Sequence, residues 1–229
     1  MTRSDSQRVV ATGLGLVTPL GNDVPSTWSA LVAGRSGVGP LTQFDASGFK
    51  THIAAEVKDF DPTLYLDKPT ARRMDRFLHF AVAAVREAMS DARLDMAAMP
   101  PRRIGVIVGS GIGGVHALLE GQMTLVERGA RRVSPFAVPA LMLNSASAHI
   151  SIMIGARGPN LALATACATG THALGEAAEM IRRGHADVMI AGGSEGAIVP
   201  IAVAGFAQMQ ALSRRNDEPE RASRPFDRD

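Results

Sequence analysis

Cys167 is the only cysteine in the chain, and it lies in the run Leu161-Ala-Leu-Ala-Thr-Ala-Cys167-Ala-Thr-Gly-Thr-His-Ala-Leu-Gly175. The alternating apolar stretch Leu161 to Ala164 predicts a short buried strand. Beyond Cys167 the spacing becomes helical, with Leu174, Ala177, Ala178 and Ile181 on one face up to Gly184. A cysteine at such a strand-to-helix turn meets the unpaired N–H groups and the dipole of a helix start, which favour thiolate, the nucleophilic form. Thr169, Gly170 and Thr171 are poor helix formers. Together they cost a helix on the order of 2 kcal/mol against alanine, which points to close packing around the helix start. From position alone, Cys167 is either a nucleophile or an inert buried thiol.

The elements that must hold this turn alternate between strand and helix patterns, which argues an α/β class. Arg8 to Val17 reads as a strand ended by Thr-Pro-Leu-Gly, and Val24 to Ala33 as a short helix closed by Gly34. Residues 44–61 look irregular. Pro69 opens one long amphipathic helix to about Asp91, with Phe77, Phe80, Ala81, Ala84, Val85 and Ala88 on its apolar side. Ile104 to Val108 is a buried strand, followed by a helix from about Val115 to Arg128. Helical patches between Val138 and Ile154 precede the Cys167 unit. Val188 to Ala191 is another buried strand, and a last helix covers about Pro200 to Ala207.

With 229 residues, 46% hydrophobic and 20% charged, the chain buries a substantial core. The expectation is one domain over residues 1–229, with 1–7 and about 214–229 loosely ordered. A net charge of +2, without interleaved aromatics, argues against a nucleic-acid partner. One cysteine excludes an internal disulfide framework, and no histidine pair has metal-ligand spacing. The N-terminus lacks the apolar core of a signal peptide. The longest uncharged run, Val133 to Ala156, is interrupted by Pro135, Pro139, Asn144 and His149, so no membrane span is expected. A cytoplasmic, reducing compartment fits.

Gly109-Ser-Gly-Ile-Gly-Gly114 matches the G-x-G-x-x-G pattern between a strand and a helix. A dinucleotide-binding oxidoreductase is therefore one reading. Against it, the acidic residue expected about 20 positions on is replaced by the basic loop Glu127-Arg-Gly-Ala-Arg-Arg-Val-Ser-Pro. The other reading is a set of tight turns. His172, five residues past Cys167, falls about 140° off its face on a helix. It reads as a core histidine rather than the thiol's base.

Eight segments occur together in register. They are residues 9–21, Arg73-Met-Asp-Arg-Phe77, Gly109–Gly114, Arg132-Val-Ser-Pro-Phe136, Gly158-Pro-Asn160, Thr165–His172, Ala186–Gly193 and Ala222-Ser-Arg-Pro-Phe-Asp227. In this the chain resembles the β-ketoacyl-[acyl-carrier-protein] synthases, most of all the elongating type II enzymes of bacterial fatty acid synthesis. The resemblance runs from about Arg8 to the last residue. It implies a thiolase-like αβαβα architecture, of which this chain is the N-terminal half of the five-layer condensing-enzyme fold.

By the same resemblance Cys167 is the acyl-accepting nucleophile. Gly111 and Ile112 border the acyl-chain pocket near a homodimer axis. Arg72, Arg73, Arg131 and Arg132, otherwise two solvated basic pairs, dock an acidic acyl carrier protein bearing acyl and malonyl groups. Gln210 stands where a further basic residue is expected. No metal or redox cofactor is implied. Two catalytic histidines, in His-Gly-Thr-Gly-Thr and Gly-His-Asn segments, belong to the family's second half, and neither segment occurs in these 229 residues. A polyketide ketosynthase shares the chemistry and is the near alternative.

Overall fold

The structure, a computed structural model, describes residues 8–227. The expectation for residues 1–7 lies outside that range. In chain order the elements are α1 (Val24–Val32), β1 (Gly39–Pro40), β2 (Ile53–Ala54), α2 (Lys68–Ala71), α3 (Arg76–Asp91), β3 (Ile104–Gly109), α4 (Val115–Arg128) and α5 (Ala137–Leu141). They continue with α6 (Ser145–Ile154), β4 (Asn160–Leu161), α7 (Thr169–Arg182), β5 (Val188–Gly193) and α8 (Pro200–Gln208). The chain divides into two compact units. One joins residues 8–15 to Pro62–Gly196, and the other joins Leu16–Asp61 to residues 197–227.

The larger unit is built on a parallel sheet of order β4-β3-β5. β3, Ile-Gly-Val-Ile-Val-Gly, is buried along its whole length, as a central parallel strand covered on both faces must be. On one face α3 and α6 pack Phe77, Leu78, Ala81, Val85, Ala146 and Ile150 against Val106 and Val108. On the other, Ala173 and Ala177 of α7 pack on Ile107. Ser147 mortars this sheet to α6: its hydroxyl accepts the Val108 N–H at 2.8 Å and contacts the Leu161 carbonyl at 2.6 Å. Arg103 fastens the opposite end of the sheet. Its guanidinium donates to Asp187 (Nε to Oδ2 2.9 Å) and to the Gly184 carbonyl at 2.7 Å, and this pairing lowers the Asp187 pKa.

Four expectations are corrected here. The two flanking strands expected to be buried are not: β4 is limited to Asn160–Leu161 and is exposed, and β5 is half-buried, because both lie at the edges of the three-stranded sheet. Arg8 to Val17 is not a strand. The segment lies on α3, so tightly that a Cβ on Gly13 would sit 2.2 Å from the Ala88 carbonyl and one on Gly15 1.8 Å from that of Ala84. The Leu14 N–H is taken by the Asp91 carboxylate (2.9 Å), so this backbone bonds to a helix side chain and joins no sheet. The single helix from Pro69 is in fact two helices. Asp67 caps α2 through the Thr70 N–H, and Asp75 caps α3 through the Phe77 N–H. Two acidic caps eight residues apart start two helices. Finally, α7 buries Thr169, Ala173 and Ala177, whereas Leu174 is 58% exposed. Small side chains let α7 sit close to the sheet, and the bulkier leucine faces away.

In the smaller unit α1 is capped by Asp23, whose carboxylate accepts the Ser26 N–H at 2.7 Å. β1 and β2 pair antiparallel. The buried Glu56 carboxylate collects the N–H groups of Thr42 (2.9 Å) and Gln43 (3.2 Å) and the Thr42 hydroxyl (2.6 Å). From Arg214 onward the described chain is irregular apart from a turn of 3-10 helix at Pro219–Arg221. It is nonetheless fastened. The Asn216 side chain accepts the His52 N–H at 2.8 Å and donates to the Lys50 carbonyl at 3.1 Å, and Ala222 is buried.

Candidate active site

Past β4 the chain reaches Ala166, whose φ of 51° lies in the left-handed region. For a residue with a Cβ this costs roughly 1–2 kcal/mol. The reversal swings Cys167 into the middle of the 3-10 turn Ala166–Ala168, directly ahead of α7 and exposed. Thr169 holds the turn. Its hydroxyl donates to the Ala166 carbonyl at 2.7 Å and accepts the Thr165 N–H at 2.9 Å, and the residue is buried. Two of the three poor helix formers at the start of α7 are thereby explained. Thr169 ties the turn, and Gly170 lets α7 approach β5, where a Cβ on Gly193 would lie 3.1 Å from the Gly170 backbone.

The loop after β3 meets the same turn. Gly111 lies beside Ala166, since a Cβ added there would be 3.5 Å from both the Ala166 Cα and its carbonyl oxygen. Ile112, the next residue, is 44% exposed. Gly111, Ile112 and Cys167 are therefore brought together at the carboxyl end of the parallel sheet, where open α/β sheets place their ligands.

The geometry also disposes of the dinucleotide reading. A Cβ on Gly109 would strike the Leu163 carbonyl at 2.2 Å, and one on Gly114 the Ala140 carbonyl at 2.1 Å, so these glycines serve packing. The Gly111 and Ile112 N–H groups, which a pyrophosphate would need, are held by one oxygen of Glu195 at 2.9 and 3.0 Å. A carboxylate stands where an anion would have to bind. Sequence reasoning missed Glu195. The signal present was a lone acid among small residues just after an apolar, glycine-ended strand.

His172 is exposed rather than part of the core, a further correction. Its Nδ1 bonds the Thr165 hydroxyl at 2.8 Å across the start of α7. A groove of about 750 Å³, lined by Ile107, Leu161, Leu163, Thr165, Thr171 and His172 among others, opens beside the turn. Among the described residues, no cluster of three or more His, Cys, Asp or Glu side chains could hold a metal ion.

Three of the four singled-out arginines share one cavity of about 430 Å³. Arg72, Arg73 and Arg132 line it, with Arg76, His116 and Phe136. Arg131 belongs to the same 3-10 turn as Arg132, Ala130–Arg132, but not to that lining. The Arg73 guanidinium stacks 4.7 Å above the Phe136 ring, so two segments far apart in sequence form one basic wall. His116 Nε2 is buried without a hydrogen-bond partner among the described residues.

The α/β architecture built on this sheet is that of the thiolase-like ketosynthases. The family model for the N-terminal domain of β-ketoacyl synthases matches residues 6–229, and the chain belongs to that family. A curated relative from Synechocystis sp., a 3-oxoacyl-[acyl-carrier-protein] synthase 2, is 48% identical over 229 residues, covering 100% of this chain and 55% of the relative. The crystal structure of a β-ketoacyl synthase from Burkholderia phymatum superposes with a TM-score of 0.82 at 32% identity, covering 95% of this chain and 54% of that one. A type II polyketide synthase acyl-carrier protein in complex with its ketosynthase, bound to the hexaketide, superposes at 0.74 and 25% identity, covering 89% of this chain and 55% of that one. The chain thus spans about half the length of the curated relatives it matches.

Proposed function

We propose that this chain is the acyl-accepting part of a 3-oxoacyl-[acyl-carrier-protein] synthase of fatty acid elongation, with Cys167 as nucleophile. The observation that carries this is the placement of Cys167, exposed on a turn locked by Thr169, with Gly111 lying beside Ala166. In the reaction the Cys167 sulfur attacks the carbonyl carbon of an acyl thioester, and the carrier thiol leaves with the proton. The acyl chain then lies against the Ile112 loop. The Cys167 backbone N–H is suited to stabilise the tetrahedral oxyanion. Decarboxylation of a malonyl thioester supplies the carbanion that attacks acyl-Cys167. The products are a 3-oxoacyl thioester two carbons longer and CO2, with Cys167 regenerated.

The wall of Arg72, Arg73 and Arg132, with Arg131 beside it, suits an acidic acyl carrier protein, which its field would attract and orient. The solved ketosynthase–carrier complex among the structural relatives supports a partner of that kind. A homodimer is proposed on the exposed apolar side chains of α4, α5 and α6, among them Val126 at 74%, Val138 at 64% and Ile152 at 80% exposure. No described helix is long and apolar enough to cross a membrane. The free thiol suits a reducing compartment, and on that ground we place the protein in the cytoplasm. The polyketide alternative is less favoured because the 3-oxoacyl-[acyl-carrier-protein] synthase relative is 48% identical and the polyketide ketosynthase 25%.

The test is mass spectrometry of the full-length protein after incubation with acyl-carrier substrate. The wild type should gain one acyl group on the Cys167 peptide, and Cys167→Ala should gain none. An acyl adduct on the alanine variant would overturn the assignment.

A further inference from the structure

The glycine loop after β3 poses a physical problem if Ile112 is to select among acyl chains. The run Gly109-Ser-Gly-Ile-Gly-Gly114 has four glycines in six residues, and each ordered backbone residue costs roughly 1–2 kcal/mol of conformational entropy, most of all at glycine. A wall that shifts by an ångström cannot discriminate between substrates. Something must hold this loop, and the only anionic side chain bonded to it among the described residues is Glu195.

Glu195 enters from the segment just after β5. Because β3 and β5 run parallel with Gly109 opposite Gly193, their carboxyl ends emerge side by side. One Glu195 oxygen accepts the successive N–H groups of Gly111 (2.9 Å) and Ile112 (3.0 Å), the geometry of an anion-binding nest. Its other oxygen accepts the Ser110 hydroxyl at 3.2 Å and the Gly196 N–H at 3.3 Å. Ser110 Oγ in turn accepts the Gly113 N–H at 2.9 Å. Residues 110–113 are thus clamped by a single charge-assisted network. The clamped stretch lies beside Ala166, the residue before Cys167, within 3.5 Å of where a Cβ on Gly111 would stand.

We propose that Glu195 is a positioning residue for acyl-chain selection, holding the Ile112 backbone at a fixed place beside the Cys167 turn. The proposal rests on the reading of Cys167 as the acylated residue. Glu195 is itself exposed, so replacing it opens no core cavity. Both loop N–H groups share one carboxylate oxygen. A glutamine carbonyl can therefore accept them while its NH2 group donates to Ser110 Oγ, giving up only the long Gly196 N–H contact at 3.3 Å, whereas alanine leaves the two loop N–H groups without this acceptor.

The experiment uses the full-length protein with Glu195→Ala and Glu195→Gln, with folding checked by thermal melting. Hydrogen–deuterium exchange should show faster exchange at the Gly111 and Ile112 amides in the alanine variant and near wild-type exchange in the glutamine variant. With acyl-carrier donors of graded length, Glu195→Ala should flatten the chain-length dependence of kcat/KM by about tenfold. The change should lie mainly in KM, with Glu195→Gln restoring the profile. An alanine variant with wild-type amide exchange and wild-type chain-length selectivity would overturn the proposal. So would a glutamine variant as defective as alanine. If the wild type itself is not acylated at Cys167, the reading on which the proposal rests fails instead, and the amide exchange still reports whether Glu195 holds the loop.

Discussion

Gly193 of β5 and Gly170 of α7 approach so closely that a Cβ on Gly193 would stand 3.1 Å from the Gly170 Cα and N. The first turn of α7, and with it Cys167, is therefore seated directly on the sheet's backbone. Gly109 is tighter, since a Cβ there would lie 2.2 Å from the Leu163 carbonyl and 2.5 Å from the Thr169 methyl. Substitution at either site should separate α7 from the sheet. Gly193→Ala should lower stability by about 1–2 kcal/mol and Gly109→Ala by about 3 kcal/mol, measured by urea denaturation of the full-length protein. Gly109→Ala should also slow acylation of Cys167, because it displaces Thr169.

Thr169 offers a subtler probe. Thr169→Val keeps the shape but leaves the Ala166 carbonyl and Thr165 N–H without their hydroxyl partner, which should cost about 1–3 kcal/mol. Alkylation of Cys167 should slow as the turn loosens. Thr169→Ser restores the hydroxyl and should recover most of both. Equal behaviour of the valine and serine variants would show that the hydroxyl does not hold the turn.

The basic wall makes a graded prediction. Arg72→Glu and Arg132→Glu should each raise KM for a carrier-bound acyl donor about tenfold at low ionic strength, with little effect on a small thioester mimic. Arg131→Glu, outside the cavity lining, should have a smaller effect. High salt should shrink the differences by screening. KM values unchanged from the wild type at all three positions would return these arginines to ordinary solvated charge.

Stability should depend on pH through two histidines. Burial lowers the pKa of His79 despite its bond to the Ala71 carbonyl and the nearby Asp75 charge, and burial alone lowers that of His149. Both bind a proton less readily folded than unfolded. Their contribution is therefore complete above the unfolded value near 6.5 and is lost as pH falls toward the lower folded values. The melting temperature should drop by a few degrees between about pH 7.5 and 5.5. His79→Gln should flatten that slope. A slope unchanged in the variant would remove His79 from the account.

Much of this was legible in the residues. The unbroken apolar run of β3 announced a buried central strand, and the helical spacing from Val24 up to Gly34 announced α1. The Cys167 turn was readable because Thr169, Gly170 and Thr171 oppose the helix they begin. Other features depended on partners that a linear pattern does not display. Gly13 and Gly15 sit in an alternating stretch that looks like a strand until the backbone of α3 is seen against them. Leu174 suits the apolar stripe by spacing, but the α7 side chains buried against Ile107 are Ala173 and Ala177, with Met180 packing beside them further along. Glu195 was invisible for the same reason, because its ligands are backbone N–H groups more than eighty residues away.

The smaller unit is pinned by Asn216, which reaches back to Lys50 and His52 across more than 160 residues of chain. During synthesis, residues 16–61 emerge long before the segment that completes their unit. At roughly 5–20 residues per second the wait is on the order of ten to thirty seconds. A nascent chain arrested before residue 197 therefore holds β1, β2 and the loop around Glu56 without their closing segment, a window in which a chaperone or a protease has its best access.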